Sequence, residues 1–216
     1  MRKPASMRGL ENLGRVRLSR HFYMRDFLHS EIGNLYGIAN IPEYPDIAIE
    51  NGRQLCRTLL DPLEETFGRI AIRSAYRSPA LNRFGNDNGL NCARNSANFG
   101  SHIWDMGDAS EQGACASIAI PWFADQYDQG RDWRDLAWWL HDHLPYSEMY
   151  FFPKLCALNL TWRVKPKRTI SSYVSPKGML LAAGAEPAEK IADRRARYAD
   201  FPRFRGIEYP DAQMGG

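Results

Sequence analysis

A histidine and two aspartates lie close together in the middle of the chain, where Ser101-His102 is followed by Asp105 and Asp108. Imidazole and carboxylate are zinc ligands, and a catalytic zinc takes about three protein ligands and keeps one position open for water. His102, Asp105 and Asp108 are therefore the candidate metal ligands, with His141 or His143 as a further donor. His141 and His143 cannot easily share one ion, because i and i+2 on a helix point to opposite sides. The same residues also have local uses. An aspartate can cap a turn, and a loop histidine can be held by hydrogen bonds. The cysteines, Cys56, Cys92, Cys115 and Cys156, form no C-x-x-C pair, which excludes a zinc ribbon or a thioredoxin-type motif. In a reducing compartment they read as small core residues, with disulfides left open.

These side chains need elements to position them. Residues 1–18 read as an extended basic arm outside the core, with Arg2, Lys3, Arg8, Arg15 and Arg17 against the single acid Glu11. Ser19 to Gly33 reads as an N-capped helix. A longer helical pattern runs from Asp46 to Phe67, where Leu55, Leu59, Leu63 and Phe67 recur every fourth residue. Pro62 should kink or restart it, and Gly68 should end it. Strands are expected near 69–75, 114–120, 147–152 and 158–164. Between the first two lies a long Asn/Gly/Ser-rich loop over 85–101. Pro121 opens a helix, and Asp132 caps another through His143. Trp133, Trp138 and Trp139 on that helix read as packing residues. Arg163, Lys165, Lys167 and Arg168 read as a solvated edge that blocks strand pairing, and Arg194, Arg195 and Arg197 as an exposed helix face. Helices first and clustered strands later indicate an α+β fold with a mainly antiparallel sheet and helices packed on it.

Composition sets the outer bounds. The chain has 216 residues, of which 44% are hydrophobic, and a formal net charge of +3. That suits a globular core, with 181–216 as a C-terminal extension, and names no partner by charge alone. No apolar run reaches the roughly 20 residues that cross a bilayer, and none follows the basic N-terminus as a secretory signal would. The expectation is cytoplasmic synthesis, with any exit by lysis or by assembly into a particle. No phosphate-cradling loop, Ser-His-Asp set or nucleic-acid motif is present, so nucleic acid is not an expected partner.

The stretch "IAIRSAYRSPALNRFGNDNGLNCARNSANFGSHIWD" contains Tyr76-Arg77-Ser78, Asn82, the loop over 85–100 and Ser101-His102. In that order and spacing it resembles the zinc D-alanyl-D-alanine carboxypeptidases and their hedgehog-type relatives. "LSRHFYMRDFLHSE" is similar to the family's opening segment, and "LLDPLEETFG" to its helix before the first strand. The resemblance covers roughly residues 19–180. It implies a D-Ala-D-Ala carboxypeptidase-like fold, a zinc held by His, Asp and a second His, and a Glu base close before the last His. It also implies an arginine that binds the peptide carboxylate, as a planar bidentate donor can.

On this sequence the first ligand position falls on His102. The Asp position falls on Ser117, the base near Phe152, and the last ligand within Asn159 to Trp162. No histidine follows His143. The resemblance therefore implies a degenerate, non-catalytic member that keeps a substrate groove at Arg77, Ser101 and His102 and has no cofactor. The alternative is an active zinc peptidase of peptidoglycan stem peptides, with His102, Asp105 and Asp108 as rearranged ligands. The implied partners are cell-envelope glycopeptide or other protein subunits, in the setting of a virion or phage-like particle.

Overall fold

The computed structural model describes residues 1–206. The N-terminal segment is not an extended arm. Ser6 caps helix α1 (Met7–Gly14) by accepting from the Gly9 amide. Leu13 and Leu18 are fully buried in the core that α1 helps to cover. One face of the basic segment is apolar, and burying two leucines outweighs leaving it solvated. The helix expected over Ser19–Gly33 is instead a 3-10 turn at Met24–Phe27 and a short helix α2 (Glu31–Tyr36). Met24 and Phe27 anchor the turn in the core.

The long helix is present as α3 (Pro45–Leu55) and α4 (Asp61–Phe67), joined without a break by a wide π-turn over Cys56–Leu60. In that turn the Asp61 amide donates to the Cys56 carbonyl. The widened ring makes room for Pro62, which has no N–H to give and would crowd a carbonyl in a regular helix. Gly68, at φ 79°, ends α4 in a conformation that L side chains avoid. Gly52 faces Trp104, whose ring would lie 2.9 Å from an added Cβ, so α3 can approach the indole closely.

The described residues form one six-stranded sheet in the order β1-β2-β4-β3-β5-β6. The strands are β1 (Ala71–Ser74), β2 (Gly113–Ala119), β3 (Glu148–Phe151), β4 (Leu158–Arg163), β5 (Thr169–Ser172) and β6 (Gly178–Leu181). All neighbours are antiparallel except β3 and β5. The first four match the expected strands, and β5 and β6 extend the sheet. The run Arg163–Arg168 is exposed over Val164–Lys167, as expected, but it is a crossover and not a sheet edge. It carries the chain past the start of β3, where buried Ser147 accepts from the Lys167 and Thr169 amides. Arg163 pairs with Glu148, and Arg168 lies over the Tyr146 ring.

Helices α5 (Pro79–Asp87) and α6 (Asn95–Asn98) frame the Asn-rich loop. Helices α7 (Pro121–Asp128) and α8 (Trp133–His143) start at Pro121 and after the Asp132 cap, as expected. Trp133, Trp138 and Trp139 are core residues. Helix α9 (Ile191–Arg197) docks on α8; Arg195 is exposed as expected, but Arg194 and Arg197 turn inward. Arg194 is only 7% exposed and pairs with Asp142 at 2.8 Å. Arg197 reaches Asp132 and Asp135. Tyr198 and Phe201 continue into the core, so the extension packs on the domain up to there.

Candidate functional site

Alternation along the strands sorts the sheet into two faces. On one face Ala116, Leu160, Met149, Ile170 and Leu181 form a cross-strand row within the core. The other face is polar. Ser74, Ser117, Asn159, Tyr150 and Ser171 are successive cross-strand partners. A parallel row runs through Cys115, Thr161, Glu148 and Thr169. The loop between α6 and β2 folds over the second row. Gly113 permits the crossing, because a Cβ there would lie 2.4 Å from the Gly100 carbonyl oxygen.

That loop delivers His102, which is 4% exposed. Its Nδ1–H donates to the Ala75 carbonyl at 2.7 Å, which leaves Nε2 unprotonated and 4.0 Å from the Cys115 Sγ. Burial and the neighbouring Arg77 charge push the imidazole down to about 3, so the ring is neutral. Burial pushes the Cys115 thiol up to about 11, against weaker opposing hydrogen bonds from Thr161 and Ser101. A neutral histidine beside a protonated thiol is not an activated nucleophile pair, which needs thiolate character. The other cysteines are also free and buried.

The remaining candidate ligands go elsewhere. Asp105 is buried, accepts from the Tyr44 amide at 3.0 Å and takes the Tyr76 hydroxyl at 3.1 Å; burial raises its carboxyl. Asp108 is exposed and caps its own turn, accepting from the Ser110 hydroxyl at 2.8 Å and from the Ser110 and Glu111 amides, which lowers its carboxyl. His141 meets the Tyr146 hydroxyl at 2.8 Å, and His143 the Trp139 carbonyl at 2.8 Å. The structure thus does not join His102, Asp105 and Asp108 into one donor set. No group of three His, Cys, Asp or Glu side chains among the described residues is placed to hold an ion.

The zinc that the resemblance implies can be tested on the donors near His102. Ser117 donates its hydroxyl to the Asn159 side-chain oxygen across β2 and β4. Cys115 faces Thr161. Glu148, the one carboxylate on this row, pairs with Lys167 at 2.7 Å and lies 3.5 Å from Arg163. Ser117, Asn159 and Thr161 are neutral and poor zinc donors, and Glu148 is already paired, so His102 and Cys115 alone are too few for a zinc site and the residues present do not fit the metal.

Beside these rows lies a groove of about 300 Å3. Ser74, Ser117 and Phe152 line it together with Arg73, Lys154 and Glu31. Arg77 stands next to it, with Nη2 3.3 Å from the Ser74 hydroxyl and its backbone N–H on the His102 carbonyl at 2.8 Å. Of the expected groove residues, none lines this groove, and Arg77 reaches it only through Ser74. Ser101 gives its carbonyl to the Cys115 amide, and His102 is sealed beneath. Asn82, wholly buried, holds the loop behind them by donating to Ala93 O and Asn95 Oδ1 and accepting from Asn98. Sequence reasoning missed Ser74, Arg73 and Lys154. Strand alternation could have found Ser74 once its register with Ser117 was known. Comparison with protein-family models, curated proteins and solved structures finds no match.

Proposed function

We propose that this chain is a non-catalytic, carboxypeptidase-like module that binds the carboxylate end of a peptide such as bacterial cell-envelope glycopeptide carries. The observation that carries the reading is the Ser117–Asn159 hydrogen bond at the edge of the groove. It joins the position where the resemblance expects an Asp ligand to the first residue of the stretch Asn159 to Trp162 where it expects the last His, and Phe152, near the expected base, lines the same groove. A phenyl ring accepts no proton, and a hydroxyl bonded to an amide supplies no charge to a cation. Arg73 and Lys154 against the single acid Glu31, with Arg77 behind Ser74, nonetheless leave the groove cationic on balance, which suits a carboxylate. The resemblance also supplies the setting, a virion or phage-like particle that contacts the envelope.

Titration calorimetry with a peptide ending in D-Ala-D-Ala tests this. The free acid should bind, and the C-terminal amide should bind at least about tenfold more weakly, as expected when a charge-assisted pair is removed. The R73E/K154E variant should lose the preference for the acid. Elemental analysis after zinc reloading should find no stoichiometric metal, and no D-alanine should be released. About one zinc per chain with release of D-alanine would replace this reading with the peptidase.

A further inference from the structure

A second groove, of about 400 Å3, lies on the surface formed by the turn after α1 and by the α3–π-turn helix. Four of its six lining residues are arginines: Arg17, Arg20, Arg53 and Arg57. Two come from the turn, and two from positions i and i+4 of the helix, which share one face. The other two are Leu18, which is buried in the core, and Ser19.

The groove is built and not incidental. Arg17 pairs with Tyr23 in an antiparallel bridge, and Leu18 and Ser19 donate to the Phe22 carbonyl. Fully buried Asp61 ties this turn to the helix by accepting from the Ser19 hydroxyl at 2.7 Å and the Arg20 amide at 3.3 Å. Arg17 spends its guanidinium on the Ser19 and Arg20 carbonyls, which are neutral, so its charge is not cancelled there. Glu65 lies 3.3 Å from Arg20 and is shared with His21, and Glu50 lies 3.7 Å from Arg53. At the surface Arg17, Arg20 and Arg53 stand against the carboxylates of Glu50 and Glu65, while the third carboxylate, Asp61, is buried beneath the turn and turned to the Ser19 hydroxyl and the Arg20 amide. Tyr23 is 43% exposed and directly opposite Arg17, which puts an aromatic face on the same side of the bridge.

We propose that this groove binds the phosphodiester backbone of single-stranded nucleic acid without reading its sequence. Guanidinium forks suit phosphate oxygens. A positive groove that tracks the backbone beside an aromatic platform is the arrangement that holds single strands. The exposed tyrosine favours a strand with bases over a plain polyanion, which has nothing to stack. The site shares no residue with the carboxylate groove and is independent of it. It has no sequence motif because the turn and the helix contribute half of the arginines each.

Fluorescence anisotropy with a labelled oligothymidylate of about 20 nucleotides tests the proposal. The protein should bind at low salt and weaken steeply as salt rises. R53E/R57E should weaken binding about tenfold or more and flatten the log–log salt slope by about 1.4, at roughly 0.7 for each phosphate no longer neutralised. Tyr23→Ala should weaken it about fivefold or more by removing the stacking surface. K165E/K190E changes net charge equally at exposed sites elsewhere and should bind as the parent does. Melting curves confirm that each variant is folded. No binding by the parent, or equal binding by folded R53E/R57E, overturns the proposal. Equal competition by polyglutamate or by poly(glycerol phosphate) overturns it in favour of another polyanion.

Discussion

Ser117 and Asn159 oppose each other across β2 and β4, and the serine hydroxyl donates to the asparagine side-chain oxygen. The pair sits one row from Cys115, above which the unprotonated Nε2 of His102 points. If these are the vacated ligand positions of a zinc peptidase, restoring them should restore the metal. The S117D/N159H variant should take up about one zinc per chain by elemental analysis, and each single variant should take up far less, because ligands act as a set. A folded double variant that binds no zinc would show that His102 does not face the pair, and the family assignment of these positions would fall.

His102 makes stability depend on pH. Its folded value, about 3, lies below the ordinary value near 6.5. Between the two the unfolded chain binds more protons, so stability rises with pH across that window and is complete above it. Buried Asp61 and Asp105 have raised carboxyls and act in the opposite sense at acidic pH. His102→Asn, which keeps a donor for Ala75, should flatten the loss below pH 6.5 by up to about 1.4 kcal/mol per pH unit. Urea midpoints at a series of pH values measure it, and an unchanged pH slope would count against a neutral His102.

Arg194 and Asp142 form an ion pair with both side chains under a tenth exposed, and Tyr198 donates to the same carboxylate at 2.8 Å. Arg194→Ala should cost about 3–5 kcal/mol in chemical denaturation, because it strands a buried charge. An Arg194→Ala, Asp142→Asn double variant should recover part of the loss. If Arg194→Ala costs less than about 1 kcal/mol, α9 is not fastened by this pair.

Leu13 is fully buried although it lies in the basic N-terminal segment. Leu13→Ala should lower stability by about 2–5 kcal/mol, and deleting residues 1–18 should lower it further. Thermal melts decide this, and an unchanged midpoint after the deletion would make the segment a dispensable arm.

Much of the frame was legible. Asp132 and Pro121 announced their helices, β4 carried clear apolar alternation, and β2 read as a short run of small apolar residues. β5 and β6 escaped notice because "TISS" and "GMLL" are short and show no strong alternation. The Arg163–Arg168 run read as a solvated edge because sequence cannot tell a charged edge from a crossover whose cations find partners. Arg194 misled in the same way, since its burial depends on Asp142, far away in the chain. Position His102 was legible, but its neighbours were not. Cys115 and Ser117 become site residues only through the register of β2 with β4.

Leu55, Leu59, Leu63 and Phe67 are spaced strictly by four, which in a regular helix drifts about 40° at each step. All four are buried in the same core nonetheless. The π-turn absorbs about one residue, and that absorbed residue cancels most of the drift.

The π-turn also makes the helix tolerant of length at one place. It holds one residue more than regular helix would need between two anchored ends, Gly52 against Trp104 and Phe67 against Trp139. Excising Thr58 would leave both ends where they are and close the turn into ordinary helix. Pro62 would then meet the carbonyl that the wide turn now keeps away. The proline thus acts as a ratchet: the extra residue is dispensable in length but irreversible while Pro62 remains. Loss of Thr58 should become tolerable only together with a change such as Pro62→Ala, so a regular helix over this stretch needs both changes at once.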